Sequence, residues 1–274
     1  MAMSFTWKKV QRFLPLLLAF SVLASLLMNR PESAIAQQVS QALNSNPSIV
    51  LVHGAFADGT SWQHVIPLLE QDGYTVTAVQ IPLTSLADDI AVTKRVIDDQ
   101  EGSIVVVGHS YAGNVITGAA ADNPKVKSLV YVNAFAPDAG ETVNDLNSRY
   151  PAPPISTAIV PDSANFLYID REKFHEFFAQ DVSEGEARVM AATQKPIASA
   201  AFEQSINSIA WKTIPSWFLV TQSDRAINPD LQRFMANRIG AQITEVNSSH
   251  VAFISHPNEV AELIKTAATA TQGG

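Results

Sequence analysis

The sequence predicts an α/β fold, a mostly parallel sheet with helices on both faces and a helical insertion. Three observations carry this. Short runs rich in β-branched residues alternate with longer stretches of helical periodicity. Two of these runs, Ile49-Val50-Leu51-Val52 and Ile104-Val105-Val106-Val107, are apolar throughout and read as buried strands. The alternation stops between about 136 and 212 and then resumes.

Taken in order, the chain opens with basic Lys8-Lys9-Val10-Gln11-Arg12, an apolar stretch from Phe13 to Met28 interrupted by Pro15, and the small-x-small pattern Ala34-Ile35-Ala36. That order describes a secretory signal peptide over 1–36, cleaved after Ala36 to release a periplasmic or secreted protein. An uncleaved N-terminal membrane anchor is the alternative, since the apolar run lies near the lower length limit for spanning. Residues 37–46, rich in Gln, Asn and Ser, read as a flexible lead-in.

Strand-like runs follow at 48–52, 74–80, 103–107, 127–133, 215–221 and 242–247, with helical patterns at about 60–71, 86–100, 111–122, 225–239 and 257–269. The insertion begins irregularly, with Pro137, Pro151, Pro153, Pro154 and Pro161, and ends in helical patterns at 171–180, 184–194 and 198–208. At 274 residues, 47% hydrophobic, the chain can bury one sizeable core, so 47–270 is read as one domain with an insertion at about 136–212.

Chemistry enters at Gly108-His109-Ser110-Tyr111-Ala112-Gly113, directly behind Ser103-Ile104-Val105-Val106-Val107. A serine among small residues at the end of a buried strand reads as a sharp strand-to-helix turn that presents its hydroxyl, with Ala112 where glycine is usual. Such a serine needs a histidine base and an acid to orient it. Of six histidines, His53 and His109 sit in glycine turns, His64 and His175 in helical patterns, and His256 before Pro257. His250 instead follows the strand-like run at 242–247 through a short polar loop, where parallel sheets place their chemistry.

The acid should lie between serine and histidine along the chain. Asp224 follows the strand-like Ser216-Trp217-Phe218-Leu219-Val220-Thr221, and Asp230 is its competitor, at a position that suits a helix cap. Acyl transfer also needs backbone donors for an oxyanion. The N–H of Ala55, after His53-Gly54 at the end of another buried strand, and the N–H of Tyr111 are the candidates.

With these residues in place the chain resembles the α/β-hydrolase superfamily, and more narrowly bacterial cofactor-free esterases related to plant methyl esterases and hydroxynitrile lyases. The matching segments include LVHGAFADGTSWQHVIPLLEQDGYTV, IVVVGHSYAGNVITGAA, LVYVNAFAPDAGET and SSHVAFISHPNEVAELI. The resemblance implies an α/β-hydrolase fold with Ser110, Asp224 and His250 as a catalytic triad, Ala55 and Tyr111 as oxyanion donors, and the insertion as a cap. Candidates for the substrate pocket are Phe56, Trp62, Phe135, Phe166, Leu167, Phe174, Phe178 and Trp211. The lyases resembled carry threonine where this chain has Gly54 and lysine where it has Val251, which favours hydrolysis of a small-molecule ester. A perhydrolase or lyase on the same triad, or a non-catalytic ligand-binding protein, are the alternatives.

The remaining composition excludes several classes. The net charge is −8, and removal of residues 1–36 would make it more negative by taking away Lys8, Lys9, Arg12 and Arg30 against Glu32 alone. Such acidity argues against nucleic acid or an anionic membrane as partner. There is no cysteine for disulfides or thiol catalysis. Neither a metal-ligand spacing nor a Gly-rich phosphate loop is present, so no metal and no cofactor are expected.

Overall fold

The computed structural model describes residues 46–270, so the signal-peptide, anchor and most of the lead-in readings lie outside the described residues. The elements run β1 (Ser48–Val52), α1 (Ile66–Gln71), β2 (Val76–Val79), α2 (Leu86–Asp99), β3 (Ile104–His109), α3 (Ala112–Ala119) and β4 (Val126–Val132). The cap segment holds α4 (Val143–Asn147), β5 (Ile159–Pro161), β6 (Phe166–Ile169), α5 (Phe174–Phe178), α6 (Glu184–Thr193) and β7 (Ile197–Ala198). The chain then returns through β8 (Ser216–Thr221), α7 (Pro229–Arg238), β9 (Gln242–Val246), α8 (Ala252–Ser255) and α9 (Pro257–Ala270).

Six strands form one sheet in the order β2-β1-β3-β4-β8-β9, every adjacent pair parallel. Every residue of β3 and β8 is buried, which is why those runs are continuously apolar, whereas the edge strand β9 is exposed and polar. Adjacent residues of a strand point to opposite faces, so β4 shows how both faces are covered. Ser128 donates to the Ala267 carbonyl of α9 at 3.0 Å, while Tyr131, of opposite parity, meets Thr117 of α3 at 2.8 Å. The chain steps from β1 outward to β2 and then back across to β3, so strand order reverses between β1 and β3. The crevice beyond the carboxyl ends at such a reversal is where open parallel sheets bind ligands.

Local signals set the helix ends. Ser85 caps α2 by accepting from Asp88 N, and Thr142 and Asp145 form a reciprocal capping box on α4. The predicted helix at 60–71 is broken in two. Asp58 caps a 3₁₀ turn at Gly59–Trp62, and α1 begins only at Ile66, with Pro67 in its first turn. The predicted helix at 198–208 is not formed. Ala198 N bonds the Leu83 carbonyl at 2.9 Å and Ser199 N bonds Asn165 O at 3.0 Å, so tertiary partners take the amides and leave a short strand and a 3₁₀ turn. The cap also contains an antiparallel sheet, β5-β6-β7, that the proline-rich composition did not suggest.

Candidate active site

The loops at the carboxyl ends of β1, β3, β4, β8 and β9 meet over the crevice. Ser110, the first residue past β3, has φ 54°, and the chain turns there directly into α3. The turn is as tight as its small residues imply. A Cβ on Gly108 would lie 2.8 Å from Ala112 O, and one on Gly113 only 2.0 Å from Phe135 O. The loop after β1 packs against this turn equally closely, since a Cβ on Gly54 would stand 2.9 Å from both Ser110 Cβ and His109 Nδ1. Phe56, in the same loop, is held at φ 62°. Non-glycine residues in the left-handed region cluster at functional sites.

His250 stands between Ser110 and Asp224. Its Nε2 is 2.8 Å from Ser110 Oγ and its Nδ1 is 2.8 Å from Asp224 Oδ2. With Nδ1–H donated to the carboxylate, Nε2 is left to accept the serine hydroxyl, the tautomer a general base needs. Serine, histidine and aspartate are all buried. The carboxylate accepts from a full set of donors. Oδ1 accepts from Ala226 N at 2.7 Å and Ile227 N at 2.9 Å, and Oδ2 accepts from Gln232 Nε2 at 2.7 Å and Thr221 Oγ1 at 2.9 Å. Asp230 lies apart, with an exposed side chain paired to Arg233 at 2.9 Å. Nor is it the helix cap that the sequence suggested: Asn228 caps α7 by accepting from Asp230 N at 2.9 Å, because Pro229 makes the preceding residue the last outside the helix.

Three supporting residues were not singled out for this site in the sequence: Thr221, Gln232 and Asn133. Asn133, at φ 34° just past β4, donates from Nδ2 to the His250 carbonyl at 2.9 Å. His109 donates from Nε2 to the same carbonyl at 2.9 Å, and burial holds its pKa well below the ordinary value, so it is neutral. His53 braces the neighbouring loop, its Nδ1 donating to Gly54 O at 2.9 Å while its Nε2 accepts from Ile81 N at 3.2 Å. Burial pulls His53 down to about 4. The two glycine-turn histidines are therefore structural partners of the turns rather than bases.

Ala55, Ser110, Tyr111 and His250 line a cavity of about 430 Å³, and among its lining residues none is Asp, Glu, Lys or Arg. Of the pocket candidates, Phe56, Phe135, Leu167 and Phe178 lie on its wall. Trp62, Phe166, Phe174 and Trp211 do not. Trp62 is fully buried against Phe253 with ring centroids 5.1 Å apart, and Phe174 packs behind Phe178 at 5.0 Å. Phe166 precedes Leu167 in β6 and so faces away from it. Trp211 packs against the core, its Nε1 donating to Pro137 O at 2.8 Å. Tyr111 contributes to the wall, and its hydroxyl donates to buried Asp89 at 2.8 Å.

The chain is similar to a probable hydrolase, R7, from Phoma sp., with 23% identity over 243 residues that cover 80% of this chain and 97% of that protein. It is also similar to Methylesterase 17 of Arabidopsis thaliana, 24% identical over 246 residues, covering 77% of this chain and 87% of the relative. Among solved structures, a pyrethroid hydrolase from Sphingobium faniae superposes with a TM-score of 0.72 at 24% identity, covering 82% of this chain and 98% of the other. The family model described as the alpha/beta hydrolase family matches residues 49–263. With that match spanning most of the chain, and with a parallel sheet whose strand-end loops converge on Ser110, the protein belongs to the alpha/beta hydrolase family.

Proposed function

We propose that the protein is a serine carboxylic-ester hydrolase that acts through an acyl-enzyme on small, uncharged esters. One observation carries the reading: the continuous chain Ser110 Oγ, His250, Asp224, with both links at 2.8 Å, opens onto a cavity whose wall has no formally charged carboxylate, ammonium or guanidinium side chain. His250 Nε2 takes the Ser110 proton as Oγ bonds to the ester carbonyl carbon. The carbonyl oxygen becomes an oxyanion facing the N–H groups of Ala55 and Tyr111. His250 then gives the proton to the departing alkoxide, leaving an acyl-serine and an alcohol. Water repeats the attack, its proton passing to His250, and the carboxylic acid leaves as Ser110 regains its hydrogen.

The lyase alternative needs a cation beside the leaving group, and Val251, buried and apolar, follows the histidine. Nor does the position of Gly54 leave room for a threonine, given the 2.9 Å approach to Ser110 Cβ. The test is hydrolysis of p-nitrophenyl esters of graded chain length, with a fluorophosphonate probe as reporter of Ser110. Turnover and labelling are expected in the native protein, and Ser110→Ala or His250→Ala should lower turnover by roughly 10⁴-fold or more. A folded Ser110→Ala protein that kept most of its activity would remove the reading, and cyanide release from mandelonitrile at rates matching ester turnover would replace it.

A further inference from the structure

We propose that Asp181, in the turn between α5 and α6 of the cap, is a positioning residue for His250, fixing the loop that carries the base from the side opposite the sheet. The proposal rests on the ester-hydrolase reading above. A single oxygen of this carboxylate, Oδ2, accepts from Ser249 N at 2.8 Å, Ser248 Oγ at 2.9 Å and Ser255 Oγ at 2.9 Å. These partners bracket His250, two immediately before it and one at the end of α8 after it. One side chain thus ties together both flanks of the histidine.

The turn that holds Asp181 is itself secured. His175 Nε2 donates to the Val182 carbonyl at 3.0 Å, and Val182 N donates to Ala179 O at 3.2 Å. Its neighbours reach the same site. The Phe178 ring lies 4.9 Å from the His250 ring between centroids, and Gln180 Nε2 donates at 2.6 Å to the carbonyl of Ser223, the residue before Asp224. Three cap residues within four positions therefore touch the imidazole, the loop that carries it and the loop that carries its acid. From the sheet side the His250 carbonyl is held by His109 and Asn133. The imidazole loop is gripped from both directions.

Burial opposes the charge on Asp181, but the donors from Ser249, Ser248 and Ser255 outweigh it and hold the carboxyl below its ordinary value. His256 Nδ1 lies 3.9 Å from the carboxylate. The carboxylate is thus the ionised acceptor that an amide and two hydroxyl donors require. Without it, Ser249 N loses its acceptor in a buried setting and the loop is free to relax. A displacement near 1 Å in a reacting group costs on the order of 10²-fold in rate.

The test compares Asp181→Ala and Asp181→Asn in the full chain. It reads kcat and KM on a p-nitrophenyl ester, the second-order rate of Ser110 inactivation by a small fluorophosphonate, and Tm. Asp181→Ala is expected to lower kcat and the inactivation rate together by tenfold or more, with KM changed less than twofold. Asp181→Asn, which keeps an oxygen for Ser249 N, is expected to recover at least part of both rates. If Asp181→Ala does not fold, Asp181→Asn decides, by a parallel fall of threefold or more in the two rates. Folded variants that lose only Tm or only KM, at wild-type kcat and inactivation rate, would overturn the proposal and reduce Asp181 to a cap anchor. A native enzyme inert to both ester and probe would instead overturn the hydrolase reading, and this assignment with it.

Discussion

At the scale of single residues, Asp89 gives a pH signature. It is buried, accepting from Leu83 N at 2.7 Å and Tyr111 Oη at 2.8 Å, yet desolvation still pushes its pKa up to about 6. The folded state therefore binds a proton on Asp89 that the unfolded chain has already released. Its contribution to stability is full below the ordinary carboxylate range and is lost as pH rises toward 6, by an amount on the order of 2–3 kcal/mol. Asp89→Asn should flatten that part of the curve, so the difference in unfolding free energy between variant and native protein, followed by urea titration from pH 4 to 7, should shift toward the variant as pH rises. A constant difference would assign Asp89 an ordinary titration. Gly54 makes a second prediction. A methyl group there meets Ser110 Cβ and His109 Nδ1 at 2.9 Å, so Gly54→Ala should displace the loop after β1 and lower kcat/KM by about 10²-fold. Undiminished turnover would show that the loop yields without penalty.

At the scale of elements, α7 takes its cap from Asn228 rather than from Asp230, the residue whose position suggested one. Asp230 supplies only a first-turn charge. Asn228→Ala should cost about 1 kcal/mol, and Asp230→Ala no more than a few tenths, both read by denaturant titration. The reverse order would return the cap to Asp230. The strands at 48–52 and 215–221 were legible because burial on both faces leaves uninterrupted apolar runs. Ser110 and Asp224 were legible because each lies in a loop behind such a run, and His250 because it follows the strand-like run at 242–247, all three in hydrolase order. Their supports were not. Gln232 lies four residues into α7 and reaches Asp224 only once that helix docks, and Asn133 meets His250 across 117 positions. The cap was read least well. Its Ala- and Ser-rich run after Ile197 has helical periodicity, but Leu83 and Asn165 take its first amides.

At the scale of the whole molecule, the N-terminal pattern leads us to propose export, with a mature chain beginning at Gln37. Intact-mass measurement on protein from the native cell should find that terminus, and a full-length chain confined to membranes would establish the anchor instead. The cap and the sheet are joined at several places around the site. Arg225 Nη1 donates to Glu176 O at 3.0 Å, Ile155 N bonds Arg225 O at 3.0 Å, and Lys195 Nζ reaches the Ile81 carbonyl. Families of this architecture invite domain grafting, in which one member's lid is transplanted onto another's sheet to exchange specificity while the chemistry is left alone. Here the seam does not coincide with the ends of the insertion. A chimera cut at 136 and 212 would import foreign partners for Ser223, Ser248 and Ser249 together with the new pocket wall. Transplants that retain Phe178, Gln180 and Asp181 from the recipient would keep the interlocking parts matched, so the modular unit for engineering is smaller than the visible lid.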